Sequence, residues 1–340
     1  MSEQVKETQD IQVVPGPTNL PKITKEELLG LYRELRLMRR VEELAAKAYS
    51  QKKILGFCHL YIGQESVAVG VASVTKNDYW ITAYREHVHA MAKGVPARDM
   101  MAELFGKATG SAKGLGGSMH IFDKSCDFMG GWGIVGGHVP LANGVGWAIN
   151  YKKEDRVCVC FFGDGAMHQG AFFEALCLAQ LYKLPCIFIC ENNGYAMGTS
   201  LERQSAITEL CRRADGVGMI NERVDGFDVE HVRERTAAAR EYARSGKGPV
   251  LLEIITYRYK GHSMSDPAKY RTKEEENDHK KNRDPLLITK SRLMEDFGVS
   301  QAVIEELENS ADAEAQDAYD FAENSPLPDT NQIYDFVYVD

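Results

Sequence analysis

Two strand-like runs in this sequence end in residues that can hold a metal and an anion. RVCVCFF (156–162) stops at Gly163-Asp164-Gly165, and LPCIFIC (184–190) stops at Glu191-Asn192-Asn193-Gly194. Both runs are short, apolar and rich in Cys, Val, Ile and Phe, which predicts strands covered on both faces. The stretch between them, about 169–182, has the pattern of an amphipathic helix. Strand, helix and strand at this spacing make a β-α-β unit whose strands run parallel. Asp164 and Asn193 therefore fall on one sheet edge, the edge where open α/β sheets bind ligands. A carboxylate and an amide oxygen are hard donors that suit Mg²⁺ with a water and phosphate oxygens in its other positions. Gly163 and Gly165 let the backbone approach such an anion. The helix start over 166–169 offers N–H groups and the positive end of a dipole. Asp-Gly and Asn-Gly are also ordinary turn sequences. Their pairing at the two ends of one β-α-β unit is what points to a Mg²⁺-bridged diphosphate site.

The rest of the chain supplies the frame. Residues 1–23, broken by Pro15, Pro17 and Pro21, are expected to form a flexible arm. Thr24 and Glu27 predict a capping box, followed by a helix with Leu28, Leu31, Leu35, Met38 and Val41 on one face. The spacing predicts a turn-rich loop at 56–63, a buried helix at 65–73, a strand at 78–85 and a helix at 97–105. The glycine-rich stretches 106–120 and 128–140 read as loops or loop–helix junctions, with a helix over 141–151. A strand at 220–224, a helix from an Asp228 cap to about Arg244, and a strand within 248–258 complete the sheet. The expected fold is α/β: a doubly wound, mostly parallel sheet flanked by helices, with an N-terminal arm and a C-terminal helical extension. The organisation is an arm (1–23), an α/β domain (24–260), a charged mobile active-site loop (261–284), and C-terminal helices near 285–296 and 300–322 with a tail, together 285–340.

Composition bounds the function. At 340 residues the core can be large enough to need no disulfide or metal staple. A net charge of -9 disfavours nucleic acid and anionic lipid as partners. No apolar run reaches the roughly 18 residues of a membrane span. The polar start, MSEQVKETQD, has neither a signal core nor an Arg/Ser-rich amphipathic pattern, so a cytoplasmic chain is expected. The eight cysteines sit mostly in apolar runs with no Cys-x-x-Cys pair, which predicts buried reduced thiols. Many of the 30 glycines crowd between Gly106 and Gly198, as if backbone there approaches something closely.

Gly-Asp-Gly followed by Asn-Asn resembles the diphosphate-binding motif of thiamine-diphosphate enzymes. The resemblance extends through GFCHLYIGQE (56–65), ITAYREH (81–87), AKGLGGSMH (112–120), GGWGIVGGHVPLANG (130–144), GDGAMHQGAFFEA (163–175), CIFICENNGYAMGTS (186–200) and YRYKGHSMSDPAKYRT (257–272). In this order the motifs resemble the alpha subunits of the first component of 2-oxo acid dehydrogenases. GDG and GHS, rather than GEG and GHHS, place the resemblance nearest the pyruvate-acting members. It implies thiamine diphosphate and Mg²⁺ as cofactors, with the metal held by Asp164, Asn193 and the main-chain oxygen of Tyr195. It also implies that Tyr84 and Arg85 reach the diphosphate, that Gly163, Gly165 and Ala166 line it, and that Gly133 and Val135 contact the aminopyrimidine. Phe57 and His59 would lie towards the substrate, with His59 and His262 as catalytic residues and His262 over the cofactor as an acid–base partner. His87, His89, His120, His138 and His168 read as structural or peripheral. Ser263 and Ser200 match serines that kinases modify in some members.

The glutamate that activates the cofactor is placed by the resemblance on a separate beta chain. The implied assembly is a heterotetramer of two alpha and two beta chains, docked on a dihydrolipoyl acyltransferase core. The implied activity is oxidative decarboxylation of pyruvate with reductive acetylation of the core's lipoyl group. Alternatives are a relative that cleaves acetoin or a branched-chain 2-oxo acid, and a non-catalytic assembly subunit of the same fold. The intact Asp164/Asn193 pair argues against the last.

Overall fold

The computed structural model describes residues 13–16, 20–332, 334, 335 and 337. Most of the arm expected over 1–23 and most of the tail over 333–340 lie outside the described residues. Among the described residues there are eight strands: β1 (Tyr79–Ala83), β2 (Phe128–Trp132), β3 (Cys158–Gly163), β4 (Cys186–Asn192), β5 (Tyr195–Ala196), β6 (Thr199–Ser200), β7 (Ile220–Asp225) and β8 (Val250–Ile255). Six of them form one sheet in the order β2-β1-β3-β4-β8-β7, with every pairing parallel. β5 and β6 make a small antiparallel hairpin. The helices are α1 (Lys25–Ser50), α2 (Glu65–Thr75), α3 (His87–Lys93), α4 (Ala97–Leu104), α5 (Val139–Lys152), α6 (Gly170–Leu181), α7 (Leu201–Gln204), α8 (Val229–Arg244), α9 (Lys273–Asn282), α10 (Pro285–Glu295) and α11 (Gln301–Asn324). The α/β, doubly wound parallel class expected from the sequence is the one observed.

The unbroken apolar strands sort themselves by alternation. In β3, Cys158, Cys160 and Phe162 pack with residues of α5 and α6, such as Ile149, Phe172 and Leu176. Val159 and Phe161, between them, join the larger core on the opposite face with α1, α2 and α8. β4 divides in the same way, with Cys186, Phe188 and Cys190 on one side and Ile187 and Ile189 on the other. Period-two geometry is intact, but both faces are covered, so no polar side interrupts the run. Truncating Phe161 or Phe188 to Ala should cost about 3–5 kcal/mol each. All eight thiols are free, and six are buried. Among the described residues no helix is long and apolar enough to cross a membrane.

Local signals behave as their chemistry dictates. Thr24 accepts from the Glu27 N–H while the Glu27 carboxylate accepts from the Thr24 N–H, so α1 starts on the expected capping box. Asp228 caps α8. α11 packs along α1 and α4 through buried Ala311, Ala315 and Ala318. Its charged flank is keyed by the Arg36–Asp312 fork, with both bonds at 2.7 Å.

Two segments differ from the sequence expectation. Phe128–Trp132, read as loop, is the edge strand β2. Its pattern is hidden because a side chain at Gly130 would overlap the Phe122 ring, and one at Gly131 would overlap the Glu86 carboxyl group. Within the charged segment 261–284, residues 273–282 form α9. Thr272 caps it, Glu274, Glu275 and Glu276 fill its first turn and His279, Lys280 and Lys281 its last, an arrangement that complements the helix dipole without burying an apolar face.

Candidate active site

Parallel pairing brings five strand ends to one edge. Gly163 at the end of β3 is in register with Glu191 of β4. Asn192 of β4 is in register with Ile255 of β8, and Ala83 of β1 with Trp132 of β2. The residues that follow each strand therefore share that edge: Tyr84 and Arg85, Gly133 to Val135, Asp164, Asn193, and the segment running to His262. Strand pairing alone gathers Tyr84, Arg85, Gly133, Val135, Gly163, Asp164 and Asn193 at that edge, whereas Phe57 and His59 come from the loop between α1 and α2, which brings the His59 ring beside His262.

Asp164 is buried, and its carboxylate accepts from the amide of Gln204. Burial raises its pKa above the ordinary aspartate value. The Gln204 amide, the Asp164 and Gly165 backbone N–H groups and the Arg258 charge offset that burial only in part, and a divalent cation would complete the compensation. Asn193 donates from its side chain to Gln64 Oε1 at 3.1 Å, and its Oδ1 accepts from the Tyr195 N–H at 3.4 Å. The Tyr195 hydroxyl donates to the Glu275 carboxylate at 2.9 Å, fastening α9 to this loop. Gly194 holds φ +83°, a conformation that favours glycine. A Cβ on Gly163 or Gly194 would meet nothing, so the space beside both is open, whereas one on Gly165 would press on Ala196. Among the described residues no cluster of three His, Cys, Asp or Glu could hold a metal; a set of one carboxylate, one amide and one carbonyl is a different, harder site suited to Mg²⁺.

The anion side is equally defined. Arg85 donates to the main-chain oxygens of Leu60 at 2.7 Å and His262 at 2.8 Å. Arg258 donates to the oxygens of Lys260 and Met197, each at 3.1 Å, and to the Tyr270 hydroxyl at 3.0 Å. Both guanidiniums are buried, and these partners are all neutral. Burial, then the neighbouring Arg258 charge, lowers the Arg85 pKa to about 10. Two buried cations held by neutral groups favour a polyanion.

The histidines answer to that field. The His59 and His262 rings lie 5.1 Å apart edge to face, and the Tyr84 ring is 4.5 Å from His59. Burial, then Arg85 and His262, pushes His59 down to about 2. Burial, then Arg85 and Arg258, pushes His262 down to about 4. Both shifts favour the neutral imidazole, and among the described residues the buried His59 Nδ1 has no hydrogen-bond partner. Phe57, at the mouth, is 60% exposed, and Ile134 and Val135 are likewise exposed. Gly133 lies against His120, whose Nδ1 is 3.2 Å from the Gly131 oxygen.

Sequence reasoning did not single out Arg258, Gln204 or Gln64. The signal for Arg258 lay in its place, at the exit of β8 next to the segment carrying His262. His87 is a buried anchor, with Nδ1 2.6 Å from Glu42 and Nε2 2.7 Å from Ser118 Oγ. The glycines from 110 to 117 wrap a single carboxylate. Glu103 accepts from the N–H groups of Ala112, Gly114, Gly116 and Gly117 at 2.7–3.0 Å. Side chains at Gly110 and Gly114 would overlap Glu103 and the Gly106–Lys107 backbone.

A doubly wound parallel sheet with an under-compensated carboxylate and two buried guanidiniums at its carboxyl edge is suited to an anionic cofactor. The chain belongs to the dehydrogenase E1 component family, whose model matches residues 33–331. It is 46% identical over 332 residues to the pyruvate dehydrogenase E1 component subunit alpha of Zymomonas mobilis, covering 97% of this chain and 93% of that one. The subunit of that name from Rhizobium meliloti is 46% identical over 316 residues, covering 93% and 91%. The human somatic, mitochondrial form is 45% identical over 325 residues, covering 95% and 82%.

Proposed function

We propose that this chain is the alpha subunit of a pyruvate dehydrogenase E1 component. It acts with a beta subunit, in a heterotetramer of two chains of each kind, to decarboxylate pyruvate and transfer the acetyl group to the lipoyl group of a dihydrolipoyl acyltransferase core. The observation that carries this is the meeting, on one sheet edge, of the buried Asp164 carboxylate with Arg85 and Arg258 in a chain of this family. Asp164, Asn193 and the Tyr195 main-chain oxygen would hold Mg²⁺. Tyr84, Arg85, Arg258, Gly163, Gly165 and Ala166 would receive the diphosphate of thiamine diphosphate, and Gly133 and Val135 its pyrimidine. The cofactor supplies the electron sink for loss of CO₂.

The chain's own share is binding, electrostatics and proton management. Arg85 and Arg258 neutralise the diphosphate. That same neutralisation cancels their repulsion of an imidazolium, so the His262 pKa should rise above about 4 when the anion is bound, with burial, the larger cause, still holding it down. His262 then becomes competent for acid–base work, with His59 beside it on the substrate side. We place the α/β domain at 24–260, the active-site loop at 261–284 and the C-terminal helices and tail at 285–340. The test is co-expression with a beta subunit and measurement of CO₂ release from pyruvate, a branched-chain 2-oxo acid and acetoin cleavage in parallel. Pyruvate turnover is expected to dominate; acetoin cleavage without pyruvate turnover would overturn the substrate assignment.

A further inference from the structure

We propose that Glu191 is a positioning residue that sets both Arg85 and the loop bearing His59, acting through His89 and Tyr61. The inference rests on the cofactor assignment above. Glu191 is the penultimate residue of β4, at the strand end that leads into Asn193, and is buried. Its Oε1 accepts the Tyr61 hydroxyl and lies 2.9 Å from His89 Nε2. The other ring nitrogen of His89, Nδ1, lies 3.1 Å from the main-chain oxygen of Arg85. A carbonyl and a carboxylate can only accept, so both contacts are hydrogen bonds when His89 carries a proton on each ring nitrogen. One imidazole thus ties the Glu191 carboxylate to the backbone of Arg85.

The second arm of the device is Tyr61. Its hydroxyl is held by Glu191 and its N–H by the buried Glu42 carboxylate. Leu60, between Tyr61 and His59, receives the Arg85 guanidinium on its carbonyl at 2.7 Å. The Tyr61 and His89 rings meet edge to face at 4.7 Å, and His89 meets Phe161 at 4.5 Å, so neither side chain has a second place to go. A carboxylate buried among such rings carries a desolvation cost that an apolar residue of similar volume would not. What the carboxylate adds is direction. It fixes the end of β1 that carries Arg85 and the loop that carries His59 relative to the strand that carries Asn193.

The test uses the alpha chain assembled with its beta subunit, and the variants Glu191→Gln, Tyr61→Phe and His89→Phe. Thiamine diphosphate affinity in the presence of Mg²⁺ is measured by calorimetry, beside kcat, KM for thiamine diphosphate and the melting temperature without cofactor. Positioning predicts that Kd for thiamine diphosphate rises about tenfold or more in Glu191→Gln, and by a smaller factor in the other two. Cofactor KM should rise with it, while kcat at saturating cofactor changes less. Native Kd within about twofold in both Glu191→Gln and Tyr61→Phe overturns the inference, including where the melting temperature falls, because a carboxylate that only supports the core moves stability alone. If Glu191→Gln does not fold, Tyr61→Phe decides, since it removes a single oxygen. Wild-type protein that binds no thiamine diphosphate would instead overturn the cofactor assignment, and this inference with it.

Discussion

Arg85 donates to the main-chain oxygen of His262 at 2.8 Å, and after burial its charge is the largest cause of the depressed His262 pKa. The residue that tethers the segment bearing His262 is therefore also, after burial, the main charge holding the His262 pKa down. Anion binding against Arg85 should remove that charge effect while leaving the tether in place.

His262 should accordingly titrate near 4 in the free chain and move up by a unit or more when an anion occupies the arginines. Imidazole NMR titration with and without magnesium pyrophosphate reads this directly. An unchanged His262 would show that the anion binds elsewhere.

The same shift has a sign in stability. The His262 pKa is lowered from 6.5 to about 4, so between those values the unfolded chain binds a proton that the folded chain refuses. Its contribution to stability is therefore present above about pH 6.5 and is lost as pH falls towards 4. The difference in melting temperature between wild type and His262→Asn, followed from pH 7 to 5, should shift against the wild type as the solution becomes acidic.

Asp164→Asn should stabilise the cofactor-free chain, by about 1 kcal/mol, because it removes a desolvated charge and keeps an oxygen for Gln204. Chemical denaturation checks it. A loss of stability would mean that Asp164 is already compensated within the chain.

Glu103→Ala should destabilise by roughly 3 kcal/mol or more, since four loop N–H groups lose their acceptor together. Glu103→Gln, which keeps one acceptor oxygen, should cost about half as much. Denaturant midpoints measure both.

The β-α-β unit was legible because two apolar runs and two polar tips lie close together in sequence, and parallel pairing does the rest. Asp164 and Asn193 could be placed on one edge from that alone. β2 was not legible, because the demands of Phe122 and Glu86 on Gly130 and Gly131 override strand propensity and erase alternation. Arg258 carries a positional signal at the exit of β8, but its burial is not legible locally because it depends on Met197 and Tyr270, which arrive from other loops. The glycine loop over 110–117 required knowing that Glu103, on a preceding helix, points into it. Helix caps, by contrast, are local, and Thr24 and Asp228 were found where their side chains act.

The central claim is that Asp164 and Asn193 hold Mg²⁺ for a diphosphate at this sheet edge. Calorimetric titration of thiamine diphosphate into the alpha chain with its beta subunit, with and without Mg²⁺, tests it most directly in wild type and Asp164→Ala. The account predicts magnesium-dependent binding in wild type and a rise in Kd of about 100-fold in the variant. Equal affinity in the two proteins, or binding indifferent to Mg²⁺, would contradict it.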